Sequence, residues 1–209
     1  MTLHGYFRSS ASWRVRIALG LKGLAHESVF YHLRRGEQRS PSYLAINPQG
    51  LVPALELDNG VVLTQSLAII DYLEEIHPEP ALLPRDPMSR AKVRAFSLAI
   101  ASDIHPVQNL KILERLRALG QDEDAVRSWV RDIVEEGLDA CARLIADRGS
   151  RFAFGDSPSV ADICLIPQLA NARRFGAEMR WPDLLRIEAA CAALPSFAAA
   201  RPENQPDAE

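Results

Sequence analysis

The apolar positions along the chain follow two regimes that meet near residue 80. Before it, short apolar runs alternate with stretches of helical period. Residues 2–7 predict a strand. Residues 11–22 predict a helix, because Val15, Ala18, Leu19 and Leu21 fall largely on one side. Ser10 or Ser12 can cap this helix and Gly23 can end it. Residues 27–33 read as a second strand, and Pro41 opens a short helix that Asn47-Pro48 breaks near Ile46. Two apolar runs then flank Asp58-Asn59-Gly60, a hairpin signal. Residues 66–77 form an amphipathic helix with Ser66 at the cap position. The order β-α-β-α-β-β-α predicts a mixed sheet with helices on its faces.

Residues 78–88 carry four prolines and predict a stiff linker. Beyond it every long segment is helical: 88–118, 122–147, a stretch introduced by the Ser159/Asp162 capping box, and about 183–194. The tail RPENQPDAE is polar and is expected to fray. The organisation is thus an α/β domain over 1–82 followed by an all-helical domain over 88–209.

Composition sharpens this picture. The chain has 209 residues, 47% of them hydrophobic, and a net charge of -3. That is enough apolar material for a core, and it lacks the basic excess of a nucleic-acid coat. Cys141, Cys164 and Cys191 are odd in number and form no C-x-x-C pair, so they predict small buried hydrophobes in a reducing, cytoplasmic setting. No secretory signal or apolar run of membrane-spanning length is present, and the His and Cys residues show no metal-ligand spacing. Arginine outnumbers lysine 21 to 3.

Three places could carry chemistry. Ser9 and Ser10 lie where a strand hands over to a helix, and can either cap the helix or donate to an anion in front of it. Pro53 precedes a strand; if its peptide bond is cis, as about 5–6% are, the Val52 backbone would face outward to pair with an extended ligand. Gln65 and Ser66 stand at the start of the third helix, as a cap or as donors to a carboxylate.

Together these three sites have the frame of a thioredoxin-like glutathione site. The chain resembles the zeta-class glutathione transferases, the maleylacetoacetate isomerases. The resemblance rests on Tyr6-Phe7-Arg8-Ser9-Ser10, Ser12-Trp13-Arg14-Val15-Arg16-Ile17-Ala18-Leu19, Asn47-Pro48, Val52-Pro53 and Gln65-Ser66-Leu67-Ala68-Ile69-Ile70. Further matches are Gln108-Asn109, Ala161-Asp162, Pro167-Gln168, Asn171-Ala172, Arg174-Phe175 and the tail Gln205-Pro206-Asp207. It implies the glutathione transferase fold, a thioredoxin-like N-terminal domain and an all-α C-terminal domain, assembled as a homodimer through helix 66–77 and the helix from 88.

The resemblance also implies roles. Ser9 would steady the glutathione thiolate with Ser10 beside it. Gln65 and Ser66 would hold the γ-glutamyl end and Val52 the cysteinyl backbone, with Gln38 and Gln108 as further glutathione contacts. Arg14 would be a salt-bridged helix residue. The implied reaction is glutathione-dependent conversion of maleylacetoacetate to fumarylacetoacetate, with transferase side activity. For the diacid substrate, guanidinium groups are suitable clamps, which singles out Arg8, Arg173 and Arg174. His105, before Pro106, is a further substrate-side candidate and leans toward maleylpyruvate. Maleylpyruvate isomerases tend to have an arginine where Leu110 stands, which leans the other way. A transferase acting on α-haloacids and a non-catalytic binding module are the remaining alternatives. One departure stands out: the family's usual S-S-C-S reads S-S-A-S here, so Ala11 removes the one protein thiol expected near the site.

Overall fold

A computed structural model describes residues 1–146 and 148–209. The chain divides into two compact units: Met1–Leu82 together with Ala192–Glu209, and Leu83–Cys191.

The first unit contains strands β1 (Thr2–Gly5), β2 (Glu27–Phe30), β3 (Ala54–Glu56) and β4 (Val62–Thr64), and helices α1 (Ser10–Leu21), α2 (Pro41–Ile46) and α3 (Ser66–Ile76). The sheet order is β2-β1-β3-β4, with β1 parallel to β2 and the other pairs antiparallel. The β1-α1-β2 crossover and the β3-β4 hairpin follow the sequence reading. β2 is shorter than expected because the chain turns into a short 3-10 helix at Leu33–Arg35. Leu3 and Leu55 of the sheet pack with Val15 and Leu19 of α1 and with Ile69 and Leu73 of α3, all fully buried or nearly so. Each such side chain contributes roughly 2 kcal/mol by leaving water.

The segment after α3 is pinned as well as stiff. Lys22 Nζ, buried, donates to Glu74 at 2.8 Å and to the carbonyl of Pro80 at 3.1 Å. Glu74 in turn accepts from the Leu82 amide with both oxygens. A buried ion pair survives only when its remaining hydrogen-bonding capacity is filled, and the linker backbone fills it.

The tail does not fray. Helix α9 (Pro195–Ala199) packs on α1, where Ser196 Oγ donates to the Gly20 carbonyl at 3.0 Å. Gln205 Nε2 donates to the carbonyls of Ala199 and Arg201, and Glu209 pairs with His32 at 2.9 Å. Local polarity suggested fraying because each of these partners is either a backbone carbonyl or distant in sequence.

The second unit is helical: α4 (Pro87–Leu98), α5 (Leu110–Ala118), α6 (Glu123–Leu144), α7 (Val160–Arg174) and α8 (Pro182–Ala192). The continuous helix expected over 88–118 is in fact four pieces. After α4 the chain widens into a π-helical turn at Ala99–Ile104 and tightens into a 3-10 turn at His105–Gln108, because Pro106 has no amide to continue the ladder. Asp147, the last residue of the helix expected over 122–147, lies outside the described residues. Residues 160–169 of α7 are all buried, so this is the central helix of the unit. Its capping box forms: Asp162 accepts from the Ser159 amide at 2.8 Å and also from the Ala153 amide at 2.9 Å. Burial pushes this carboxyl's pKa up, and those hydrogen bonds oppose the rise. Among the described residues no helix is long and apolar enough to cross a membrane.

Candidate active site

The turn from β1 into α1 is built around Ser9. Ser9, and neither Ser10 nor Ser12, is the N-cap: its backbone is extended, and its Oγ accepts from the Ser12 amide at 3.2 Å. The Ser9 amide donates to the Tyr6 carbonyl at 3.0 Å and its carbonyl accepts from the Trp13 amide at 2.8 Å. With the lone pair committed to the helix start, the hydroxyl proton points to no acceptor among the described residues. A half-buried hydroxyl in that state, in front of the positive end of a 12-residue helix, is a donor poised for an anion. Ser10 is buried directly behind it.

The second element is the loop between α2 and β3. The Val52-Pro53 peptide bond is cis. Tyr43 Oη and Asn47 Nδ2 both donate to the Leu51 carbonyl, each at 2.6 Å, so two buried side chains of α2 and its end fix the loop. No backbone hydrogen bond within the described residues uses the Val52 amide or carbonyl.

The third element is the start of α3. Gln65, rather than Ser66, is its N-cap, with no side-chain cap hydrogen bond and with φ at 68°, the one non-glycine residue of the described chain on that side. Such a backbone costs of order 1–3 kcal/mol and concentrates at functional sites. Ser66 does not cap because its Oγ takes a 3.4 Å hydrogen bond from the buried guanidinium of Arg14. The first turn of α3 therefore presents uncapped amides with a buried cation behind them, an arrangement suited to a carboxylate. Gln65 Nε2 meets Gln49 Oε1 at 3.1 Å. Gln38, a further expected contact, is buried, and its Oε1 has no donor among the described residues. An orphaned buried acceptor costs about 1–3 kcal/mol unless a ligand or water supplies the donor.

The remaining expected residues are less uniform. Arg8 is exposed, with its guanidinium 5.0 Å from the Phe7 ring centroid and no ion pair among the described residues. Arg173 is committed elsewhere: both terminal nitrogens meet Glu188 at 2.5 Å. Arg174 is exposed and lies 5.3 Å from the Phe175 ring centroid. His105 opens the 3-10 turn and is half-buried. Gln108 is buried and exchanges amide hydrogen bonds with Gln168, at 2.8 Å and 3.4 Å. That pairing leaves Gln108 one N–H to offer. The three cysteines are buried and form no disulfide, and among the described residues no group of three His, Cys, Asp or Glu could hold a metal.

Two residues that carried the resemblance without an assigned role also belong to the Ser9 turn. Arg16 donates to the carbonyls of Phe7 at 3.0 Å and Tyr6 at 3.4 Å, and Asp207 accepts from the Phe7 amide at 2.9 Å. The signal for Arg16 was a second arginine within a helix whose other positions are mostly apolar.

A four-stranded mixed sheet with a serine-capped first helix, a cis proline before the hairpin and an open third-helix start defines a thioredoxin-like domain. It is joined here to a helical domain, which is the fold of the glutathione transferases. Residues 8–76 match the family Glutathione S-transferase, N-terminal domain, and residues 101–198 match its C-terminal domain. The maleylacetoacetate isomerase of Pseudomonas aeruginosa is 50% identical over 99% of this chain and 98% of its own length. A solved maleylpyruvate isomerase, described as a bacterial zeta-class glutathione transferase, is 43% identical, with a TM-score of 0.97 and full coverage of both chains. A maleylacetoacetate isomerase from Methylobacterium extorquens, solved with malonate and glutathione bound, is 39% identical with a TM-score of 0.96, again over both whole chains. The chain belongs to the glutathione S-transferase family, in its zeta class.

Proposed function

We propose that this chain is a glutathione-dependent cis–trans isomerase that converts maleylacetoacetate to fumarylacetoacetate, acting in the cytoplasm as a homodimer. The single observation that carries the proposal is the Ser9 hydroxyl. Its oxygen accepts from the Ser12 amide, and no acceptor among the described residues takes its proton, which is thus available to a thiolate.

The residues fit glutathione at three points. The open first turn of α3, with Gln65 and Ser66, suits the γ-glutamyl carboxylate. The unpaired Val52 backbone suits the cysteinyl backbone, and Gln38 Oε1 offers an acceptor to a ligand N–H. Bound glutathione supplies the nucleophilic sulfur that adds reversibly to the maleyl double bond and so permits its rotation. The protein's part is to hold that sulfur ionised, with Ser9 donating and Ser10 supporting the turn. No thiol of the chain shares this task, because Ala11 replaces the family cysteine and the three cysteines are buried.

For the diacid, Arg8 is one clamp, exposed and without an ion pair among the described residues; of the pair on α7, Arg173 is held by Glu188, which leaves the exposed Arg174 as the second candidate. His105 is a further substrate-side group. Gln108 has one remaining N–H to offer glutathione. That a relative binds malonate, a dicarboxylate, together with glutathione supports a diacid substrate. Dimerisation has support from Met88 and Leu98 of α4, large apolar side chains that are 64% and 47% exposed.

Purified protein assayed with maleylacetoacetate, maleylpyruvate and dichloroacetate, each with and without glutathione, tests the proposal. The expected result is isomerisation of maleylacetoacetate that stops when glutathione is omitted. Faster turnover of maleylpyruvate would move the substrate to the second reading, which the resemblance to a maleylpyruvate isomerase favours. Halide release outpacing isomerisation would refute the isomerase reading.

A further inference from the structure

We propose that Asp207, at the end of the chain, is a positioning residue for the Ser9 hydroxyl; the inference rests on the role given to Ser9 above. Tyr6 and Phe7 are 4% and 3% exposed, so the peptide group that joins them is shielded from water. Buried backbone groups need partners. Among the described residues the Phe7 amide finds one in Asp207 Oδ2, at 2.9 Å and 200 positions away in sequence. The Phe7 carbonyl finds Arg16 Nη2 at 3.0 Å, and the Tyr6 carbonyl finds Arg16 Nη1 at 3.4 Å. Arg16 Nε donates to the Ala200 carbonyl at 3.1 Å, so the same guanidinium ties the tail to the turn. Both poles of Phe7 are thus held from outside the turn, by a carboxylate and by a guanidinium.

Only Arg8 separates Phe7 from Ser9, and the Ser9 amide hangs from the Tyr6 carbonyl that Arg16 grips. The direction of the Ser9 hydroxyl is therefore set by the Tyr6–Phe7 peptide, and that peptide is set in part by Asp207. Arg16 is 7% exposed; burial draws its pKa down to about 10, with the Asp207 carboxylate acting in the opposite sense. The tail itself is anchored by the Gln205 hydrogen bonds and by Glu209 against His32, so Asp207 is delivered in a fixed place. A polar tail that contributed only solubility would need none of these contacts.

The test compares Asp207→Ala, Asp207→Asn, Ser9→Ala and the Ser9→Ala/Asp207→Ala double variant in the full chain. The readouts are kcat and KM for maleylacetoacetate, the thiol pKa of bound glutathione followed by thiolate ultraviolet absorbance, and the melting temperature. Asp207→Ala is expected to raise the thiol pKa by about one unit and lower kcat about fivefold at neutral pH, with KM changed less than about twofold. Asp207→Asn keeps an acceptor for the Phe7 amide and is expected to recover most of both. In the Ser9→Ala background, Asp207→Ala should move the thiol pKa no further. If Asp207→Ala does not fold, Asp207→Glu, which misplaces the carboxylate by one methylene, should give the same shift in milder form. A thiol pKa moved by Ser9→Ala but not by any Asp207 variant overturns this inference alone. A pKa that Ser9→Ala leaves unmoved overturns the Ser9 reading, and this inference with it.

Discussion

Replacing Ser9 with Ala separates the two jobs of one hydroxyl. As the N-cap of α1 it accepts from the Ser12 amide, and losing that bond costs about 1 kcal/mol of stability. In its proposed role as donor to a thiolate it would make a charge-assisted hydrogen bond worth about 1.5–3 kcal/mol, or about one to two pKa units on the thiol. An unperturbed thiol titrates near ~8.5, and activated thiols reach ~7. A shift from ~7 up to ~8–9 leaves between about a tenth and a hundredth of the thiol ionised at pH 7, against about half before. Turnover at pH 7 should therefore fall between about fivefold and fiftyfold, with glutathione affinity affected far less. The loss should shrink as pH rises toward ~9, because the thiolate then forms without help. Ser9→Asp is the control: Asp caps a helix as well as Ser, so the fold keeps its stability, while a carboxylate beside the thiolate repels it. The measurements are kcat against pH and thermal melts for all three proteins. If Ser9→Ala keeps the native pH profile and turnover, or if its deficit is as large at pH ~9 as at pH 7, the hydroxyl is a cap only and the reasoning fails.

Two further outcomes test the scaffold. A methyl group at Gly137 of α6 would sit 2.3 Å from two side-chain carbons of Ile104, in the π-helical turn before His105. The roughly 1 kcal/mol of helix propensity gained by Gly137→Ala should thus be outweighed by about 1–3 kcal/mol of overpacking. A melting temperature equal to or above that of the native protein would show that Ile104 can move aside. Burial holds the Cys141 thiol up at about 12 and pushes that of Cys191 higher still, so both are protonated at neutral pH. A disulfide reagent should label no cysteine of the native protein within minutes and all three after denaturation; rapid labelling of the folded chain would contradict the packing.

The sequence made most of the first unit legible because its signals are local. The Asp58-Asn59-Gly60 turn and the Pro41 helix start each depend on a few adjacent residues, and both stand where they were expected. The cap positions did not follow so simply. The run Ser9-Ser10-Ala11-Ser12 offers three hydroxyls to one helix start, and capping preference alone cannot choose among them. The choice is made by the chain before it, where the Ser9 amide is drawn back onto the Tyr6 carbonyl. At α3 the preference was overridden outright. Ser66 is the better capping residue, yet its hydroxyl is taken by Arg14, and Gln65 is left at the cap in a strained backbone. Local preference failed there because a partner 52 residues away competed for the same oxygen.

The arginine surplus shows why the rest stayed hidden. Composition presents 21 equivalent cations, and the chemistry of a diacid substrate draws attention to those that look exposed and paired, such as Arg173 and Arg174. What distinguishes an arginine is what its five donors meet, and that is a property of distant chain. Arg173 meets a carboxylate on α8 and is spent. Arg14 and Arg16 lie on a helix that otherwise reads as apolar, where an unpartnered charge would be costly. Their burial is tolerable because the guanidinium plane can serve several oxygens at once. Arg14 reaches the start of α3, and Arg16 reaches the β1-α1 turn and the carbonyl of Ala200. One turn of α1 thereby reaches the tail and two of the three elements proposed to hold glutathione, and the planar guanidinium of Arg16 spans oxygens of both the β1-α1 turn and the tail. The arginines that shape this site are therefore the buried ones.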